Sequence, residues 1–469
     1  MAFRPFENLR IVDLSTVWAA PYAVQLLAAS GADVIKVEHT GRPDFRLFGP
    51  FPDGDAGERF WERSGTFNLI HRNKLGITLD LRSRDGRSAF EDLVRISDVV
   101  VENYTPRVMK QFGLAYESLR KIRPDLIMLS FTGYGHTGPW SGYPAVGDAM
   151  EATCGFCELT GYPGEGPLKA GYAYVDLIAT WYCGLLLGAA IEQRARTGQG
   201  QWLDVSMYEC GVSFLGDAIL QHARGEEEPD RIGNDHSFMA PHGCYQAADG
   251  GWVALAVRND AEWRAFVALL SNHELSIDTR FANGPSRWRH RTLLRPIIAG
   301  WVSLRAAEDV VRDLRSAGIP ASKVNTNKDL LLDPHLATRE YFEAVPHPER
   351  TGVGARLYPR LPFRFIGRPL AGSTPAPDVG QHNEAIFGDL LGMDHAKVGS
   401  LLASGVAGDR PTNVVSPFQG PGLQKLIDAK QIIEIDSRYQ ERLEEVHPEL
   451  RRYKPSVFAR NRNHANGGG

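Results

Sequence analysis

Residues 9–38 read LRIVDLSTVWAAPYAVQLLAASGADVIKVE. Leu9–Leu14 is a short branched apolar run, Ala19–Ser30 is rich in Ala and Leu at helical spacing, and Asp33–Glu38 is a second branched run. This is a strand, a helix and a strand in thirty residues, a βαβ opening. Outward from it the same alternation recurs. Ile77–Leu81, Gly86–Ile96 and Asp98–Glu102 repeat strand, helix and strand, and Leu126–Phe131 follows a further helical stretch. Short branched strands between amphipathic helices predict an α/β fold, a mostly parallel, Rossmann-like sheet covered on both faces.

Such sheets bind ligands beyond the C-terminal ends of their strands, which directs attention to the loops at 15–20, 38–48, 103–108 and 132–148. The first loop, Ser15-Thr16-Val17-Trp18-Ala19-Ala20-Pro21, has no glycine to admit a pyrophosphate to the backbone. Gly133-Tyr-Gly135-His-Thr-Gly138 matches G-x-G-x-x-G after a strand. Pro139, Gly142 and Pro144 then stand where the phosphate-binding helix would begin, so it is read as a Gly-rich loop and not a dinucleotide site.

Asp176 ends the Gly-punctuated run from Gly166 and precedes a long apolar stretch, Leu177–Gln193 (LIATWYCGLLLGAAIEQ), which predicts a mostly buried helix with Asp176 at its N-cap. An aspartate there caps helix N–H groups, which favour its ionised form. The same carboxylate beside a bound acyl carbonyl can act as a covalent nucleophile. Thr197–Gly200 is a turn, Gln201–Ser206 a strand, and a helix runs to about Arg224. After the charged Gly225–Pro229, Gly243–Val257 predicts a hairpin turning at Asp249-Gly250, with helices near Ala261–Leu270 and Leu293–Ala317. The expected organisation is a large domain over 1–226, a smaller α+β domain over 227–335, a Pro- and Arg-rich return over 336–406, and an extension over 407–469 with a helix at Leu423–Glu445 and a polar end.

The chain has 469 residues, 43% hydrophobic and 23% charged, with a net charge of -4, so no basic surface argues for nucleic acid. The start carries no signal-peptide pattern, and Leu177–Ile191 is short for a bilayer span. A cytoplasmic protein that does not enter membranes is expected. Five scattered cysteines give no disulfide framework, and Cys154-Gly-Phe-Cys157 lacks the second pair of a metal site.

In order along the chain, Gly31-Ala-Asp-Val-Ile-Lys-Val-Glu38, Asn73-Lys74, Leu79-Asp80-Leu81, Val101-Glu-Asn-Tyr104 and Pro106 resemble the class III CoA-transferases, the formyl-CoA and carnitine CoA-transferase family. The resemblance extends to about residue 405 through Gly133-Tyr-Gly135, Gly138-Pro139, Thr197-Gly-Gln-Gly-Gln201, Asp204-Val-Ser206, Asp333-Pro334-His335 and Arg339. It implies that Asp176 is the nucleophile, that the substrates are coenzyme A thioesters and a small carboxylic acid, and that no metal or permanently bound cofactor is needed. Succinyl-CoA is a candidate donor. It also implies a dimer of interlocked ring-like subunits, as a homodimer or a heteromeric assembly.

By the same carry-over CoA would lie along Thr16, Val17, Trp18 and Ala19, near Lys74, and over Asn103, Tyr104 and Val108. An aromatic face would stack on adenine, and Arg42, Lys74 or Lys110 would meet phosphates. Asp148, His236 and Phe238 are assigned to the acid substrate, Asp148 as a partner for a cation or for substrate. Where oxalate-using members carry glycines, this chain has His236-Ser-Phe-Met-Ala240, which argues for a larger acid. An arginine of the family pattern is here His39. The alternatives are an α-methylacyl-CoA racemase, whose acid/base histidine falls on Gly147 of this chain, and a CoA-binding subunit of a hetero-oligomeric transferase.

Overall fold

The computed structural model describes residues 2–225, 231–414, 427–428 and 436–453. Six parallel strands form the main sheet: β1 (Arg10–Asp13), β2 (Asp33–Glu38), β3 (Leu75–Thr78), β4 (Val99–Glu102), β5 (Ile127–Thr132) and β6 (Gln201–Ser206), in the order β3-β2-β1-β4-β5-β6. This is the doubly wound order, and it reverses between β1 and β4, where a crevice opens at the strands' C-terminal ends. The central strands β4 and β5 are buried along their whole length because both faces are covered, while the edge strand β6 is partly exposed over residues 201–204.

The helices of this half are α1 (Ala19–Ala29), α2 (Gly65–Ile70), α3 (Arg84–Arg95), α4 (Arg107–Gln111), α5 (Tyr116–Ile122), α6 (Gly147–Thr153), α7 (Phe156–Leu159) and α8 (Tyr174–Thr197). Phe90 and Leu93 of α3 bury against Ile35, Ile77 and Val100 of the sheet, and Phe387 joins them from the C-terminal return. That return also covers the sheet's edge. Gly76 N donates to His382 Nδ1 at 2.9 Å and Thr78 N to Asn383 Oδ1 at 2.9 Å, so β3 offers no open row of donors to another chain. Gly76 is required for this, since a Cβ there would lie 2.8 Å from Pro377 Cβ.

The chain divides into two compact units, one of Met1–Cys154, Ala173–Phe214 and Leu331–Gly469, the other of Gly155–Tyr172 and Leu215–Leu330. The second is built on an antiparallel sheet of β7 (His242–Gln246), β8 (Trp252–Ala256) and β9 (Ala321–Lys323) with the helix Asp260–Leu270 among those around it. The predicted hairpin is its first two strands. The helical stretch foreseen over 293–317 is two helices, Arg291–Val302 and Ala307–Ser316. In the first unit the return carries a further hairpin, Phe342–Pro346 with Ala355–Pro359. Most of Leu423–Glu445 lies outside the described residues, and the described helix there is Tyr439–Val446.

The apolar helix α8 departs from its sequence reading in two ways. It has 24 residues, enough by length and composition to cross a membrane. It is also buried on one face only: Val175, Asp176, Ala179, Thr180, Cys183 and Leu187 face inward at helical spacing, while Trp181 and Leu185 are exposed.

Candidate active site

Asp176 is not the N-cap of α8. The cap position is Ala173, and Asp176 is the third helical residue, pointing inward with 8% exposure. The capping is done from another helix, since Glu151 of α6, itself buried, accepts a hydrogen bond from Tyr174 N through Oε1. This frees the Asp176 side chain from local duty. Thr180, one turn further on, donates to the Ala19 carbonyl at 3.0 Å and ties α8 to the first turn of α1.

The inward carboxylate fits because residue 147 has no side chain. A Cβ placed on Gly147 would lie 1.7 Å from Asp176 Oδ2. Burial, then the nearby negative charges of Asp148 and Glu151, push Asp176 up to about 7. The expectation that helix N–H groups hold it low is corrected: at its depth desolvation outweighs the helix terminus, and the neighbours are like charges. A buried carboxylate raised in this way can act as a nucleophile or exchange a proton.

A second feature lies over the C-terminal ends of β1 to β4, a cavity of about 680 Å³. Thr16, Val17, Arg42, Tyr104 and Val108, five of the positions assigned to CoA, line it together. Phe45, Phe48 and Phe112 add aromatic surface, and His39, Asp80 and Arg82 form a polar stretch of wall. The loop entering α1 is held in a costly shape. Val17 is β-branched yet has a φ of 73°, a left-handed conformation that persists only when its surroundings impose it. Asn103 imposes it from one side, accepting from Thr16 N at 2.8 Å and donating to the Thr16 carbonyl at 2.7 Å across the β1/β4 crevice. Asp44 accepts from Val17 N at 2.8 Å on the other.

The remaining assigned residues sit elsewhere. Lys74 is no surface cation: its side chain is fully buried, with Nζ 2.8 Å from Asp13 Oδ2, 2.8 Å from the Pro21 carbonyl and 3.1 Å from His71 Nδ1. Burial pulls it down to about 8 against the pull of Asp13. A phosphate contact by this ammonium is therefore withdrawn; it supports the floor of the loop instead. Asn103 likewise spends its amide on Thr16. Trp18 caps α1 and Ala19 opens it, and the exposed Lys110 on α4 is outside the cavity lining. Asp148 is exposed and acts on Asp176 as a like charge. In the second unit, His236 and Phe238 lie edge to face at 4.4 Å, with Trp288 Nε1 donating to the His236 carbonyl at 2.9 Å.

Sequence reasoning missed Glu151 and Arg82. Glu151 is four residues after Gly147, on the same helix face, which is the signal that could have found it. Arg82 Nη2 lies 2.8 Å from His39 Nε2, and its guanidinium grips Asp80 through two bonds of 2.9 Å, so a cation borders the cavity beside the position where His39 replaces an arginine. The loop Gly133–Gly138 does not open a helix, the next one beginning at Gly147. Among the described residues no cluster of His, Cys, Asp and Glu could hold a metal ion.

The first unit thus joins a doubly wound sheet, a cavity at its switch point and a buried acid, the arrangement in which α/β proteins bind nucleotides. The sequence model of CoA-transferase family III matches residues 6–383, and the chain belongs to that family. It is 32% identical over 404 residues to the succinyl-CoA–D-citramalate CoA-transferase of Chloroflexus aurantiacus, covering 86% of this chain and 98% of that one. It is 30% identical over 409 residues to the succinyl-CoA–L-malate CoA-transferase beta subunit of the same organism, covering 86% and 98%. A crystal structure of a CAIB/BAIF family protein from Brucella suis superposes with a TM-score of 0.75 at 33% identity, covering 82% of this chain and 99% of that one. The protein is a CoA-transferase, and its substrates are CoA thioesters and carboxylic acids.

Proposed function

We propose that this chain moves CoA from succinyl-CoA to a short dicarboxylic acid through a covalent intermediate on Asp176. The observation that carries the proposal is the buried, unusually basic carboxylate at Asp176 in the space that Gly147 leaves open. Its ionised oxygen attacks the donor thioester carbon, forming a mixed anhydride and expelling CoA thiolate. The thiolate attacks the Asp176 carbonyl carbon, giving an aspartyl-CoA thioester and releasing succinate. The acceptor carboxylate then attacks that thioester, CoA thiolate leaves again, and the thiolate attacks the acceptor's acyl carbon to give the new thioester and free Asp176. Every step exchanges one good leaving group for another, so no step needs ATP.

The adenosine and phosphate end of CoA takes the cavity over β1 to β4, with Tyr104 and the phenylalanines against adenine and Arg42 and Arg82 toward phosphate. The loop Thr16–Ala19 leads from there toward Thr180 and Asp176. The relatives' acceptors, D-citramalate and L-malate, support a short hydroxy dicarboxylate in place of the larger acid suggested by His236–Ala240. The racemase reading needs a histidine at 147, and the Asp176 carboxylate occupies that space. Assembly with a second copy belongs to the same proposal, supported by the exposed Trp181, Leu185 and Phe214. The site works in the cytoplasm.

The test incubates the protein with succinyl-CoA and a panel of C4–C6 dicarboxylates and reads products by liquid chromatography and mass spectrometry. Formation of one acceptor thioester with equimolar succinate supports the proposal. Loss of α-deuterium from a branched acyl-CoA without any transfer overturns it.

A further inference from the structure

Beyond residue 383, where the family match ends, described residues up to Asn413, and again Tyr439, are bonded to the sheet unit. After the helix His395–Ala403, Asp80 N donates to the Val406 carbonyl at 2.7 Å, and Thr78 Oγ1 donates to the Gly408 carbonyl at 2.7 Å while accepting from Gly408 N at 2.8 Å. Next, Thr412 N donates to the Thr40 carbonyl at 2.9 Å and Asn413 Nδ2 to the Gly41 carbonyl at 3.4 Å. Further on, Tyr439 Oη donates to Asp53 Oδ1 at 2.8 Å, and Arg356 Nη2 binds the other oxygen of that carboxylate at 3.0 Å.

These contacts bracket one segment. Residues 40–53 contain only short 3₁₀ turns, yet they supply Arg42, Pro43, Asp44, Phe45 and Phe48 to the cavity wall, and Asp44 is the acceptor that holds Val17. Buried Arg46 pins the middle of the segment through Glu38, Glu62 and the Pro377 carbonyl, so the freedom a ligand would have to remove lies toward the two ends, and fixing those beforehand lowers that cost.

We infer that the C-terminal extension is a brace that positions the 40–53 segment for acyl-CoA, through Thr412 and Asn413 at one end and Tyr439 at the other. Thr412, Asn413 and Tyr439 are positioning residues and touch no reacting atom. The inference rests on reading the cavity as the acyl-CoA site.

The experiment measures kcat, and KM separately for acyl-CoA and for the acid, in the full chain, in T412P, in the pair N413A/Y439F, and in a chain ending after Arg410. T412P removes the donor to Thr40, and the pair removes only side-chain bonds. The expected result is a rise in acyl-CoA KM of roughly five- to tenfold for T412P and for the pair, and more for the shortened chain, from the net worth of the lost bonds. The acid's KM and kcat stay within about twofold of the full chain in the point variants. The brace is overturned if T412P and N413A/Y439F leave the acyl-CoA KM unchanged, whether kcat holds or falls as in a general loss of folded protein. R42A, measured alongside, reports on the cavity itself: a raised acyl-CoA KM in R42A with unchanged values in the brace variants rejects the brace alone, while no change in any of them rejects both readings.

Discussion

A Cβ on Gly147 would lie 1.7 Å from Asp176 Oδ2, so the carboxylate occupies the volume of a side chain that the sequence omits. The pairing spans two helices, α6 and α8, and neither could be moved without uncoupling Glu151 from the start of α8. The close approach is therefore built in by packing and not left to a flexible loop.

Filling that space should displace the acid. G147A is expected to lower kcat by about 10²-fold, the usual consequence of misplacing a reacting group by an ångström, while the protein stays folded. Steady-state kinetics with circular dichroism checks this; a G147A enzyme of normal kcat would show that Asp176 need not sit where it does.

The pH profile follows from the raised acid. Attack requires ionised Asp176, so kcat/KM should climb with pH and level off above about 7. Removing the like charge in D148N makes ionisation easier and should move that limb to lower pH. An unmoved or upward-moving limb in D148N would contradict the electrostatic account.

Asp176 should also cost stability. Its folded value lies above its unfolded one, so the folded state holds the proton more tightly; the associated stability is fully present below about pH 4 and is lost as pH rises through about 7. D176N stays neutral, and is expected to be more stable than the native chain by on the order of 1–3 kcal/mol at pH 8, with little difference at pH 4. Urea unfolding at the two pH values is the check, and equal stabilities at pH 8 would mean that the carboxylate is not destabilised in place.

The strained loop gives a fourth expectation. N103A removes both bonds to Thr16 and should release Val17 from φ 73°, raising acyl-CoA KM by about tenfold, within the range for losing buried amide partners. The acid's KM should hardly move. Equal increases in both would point to a general loosening of the unit.

Much of this was legible from residues 9–38 and their repeats, because period, length and branching all agree on parallel strands there. β2 and β6 fall on the runs Asp33–Glu38 and Gln201–Ser206, and only β3 begins two residues ahead of its apolar run. The family motifs put Asp176 forward as the nucleophile, which stands as the proposal, and drew attention to Thr16 and Val17, which line the cavity. Capping was misread because an aspartate before an apolar helix looks the same whether it bonds its own helix or turns inward, and Glu151 is distant in sequence. Lys74 was misread because a lysine after Asn73 gives no hint of the Asp13 and Pro21 oxygens that bury it. The exposed side of α8 was hidden for a simpler reason, since an all-round apolar sequence does not say which face is covered.

The most direct test of the central claim is peptide mass spectrometry after mixing the protein with succinyl-CoA and trapping with hydroxylamine. A hydroxamate is expected on the peptide bearing Asp176, dependent on succinyl-CoA and absent in D176N. Full transfer activity in D176N, or a trapped adduct on another residue, would contradict it.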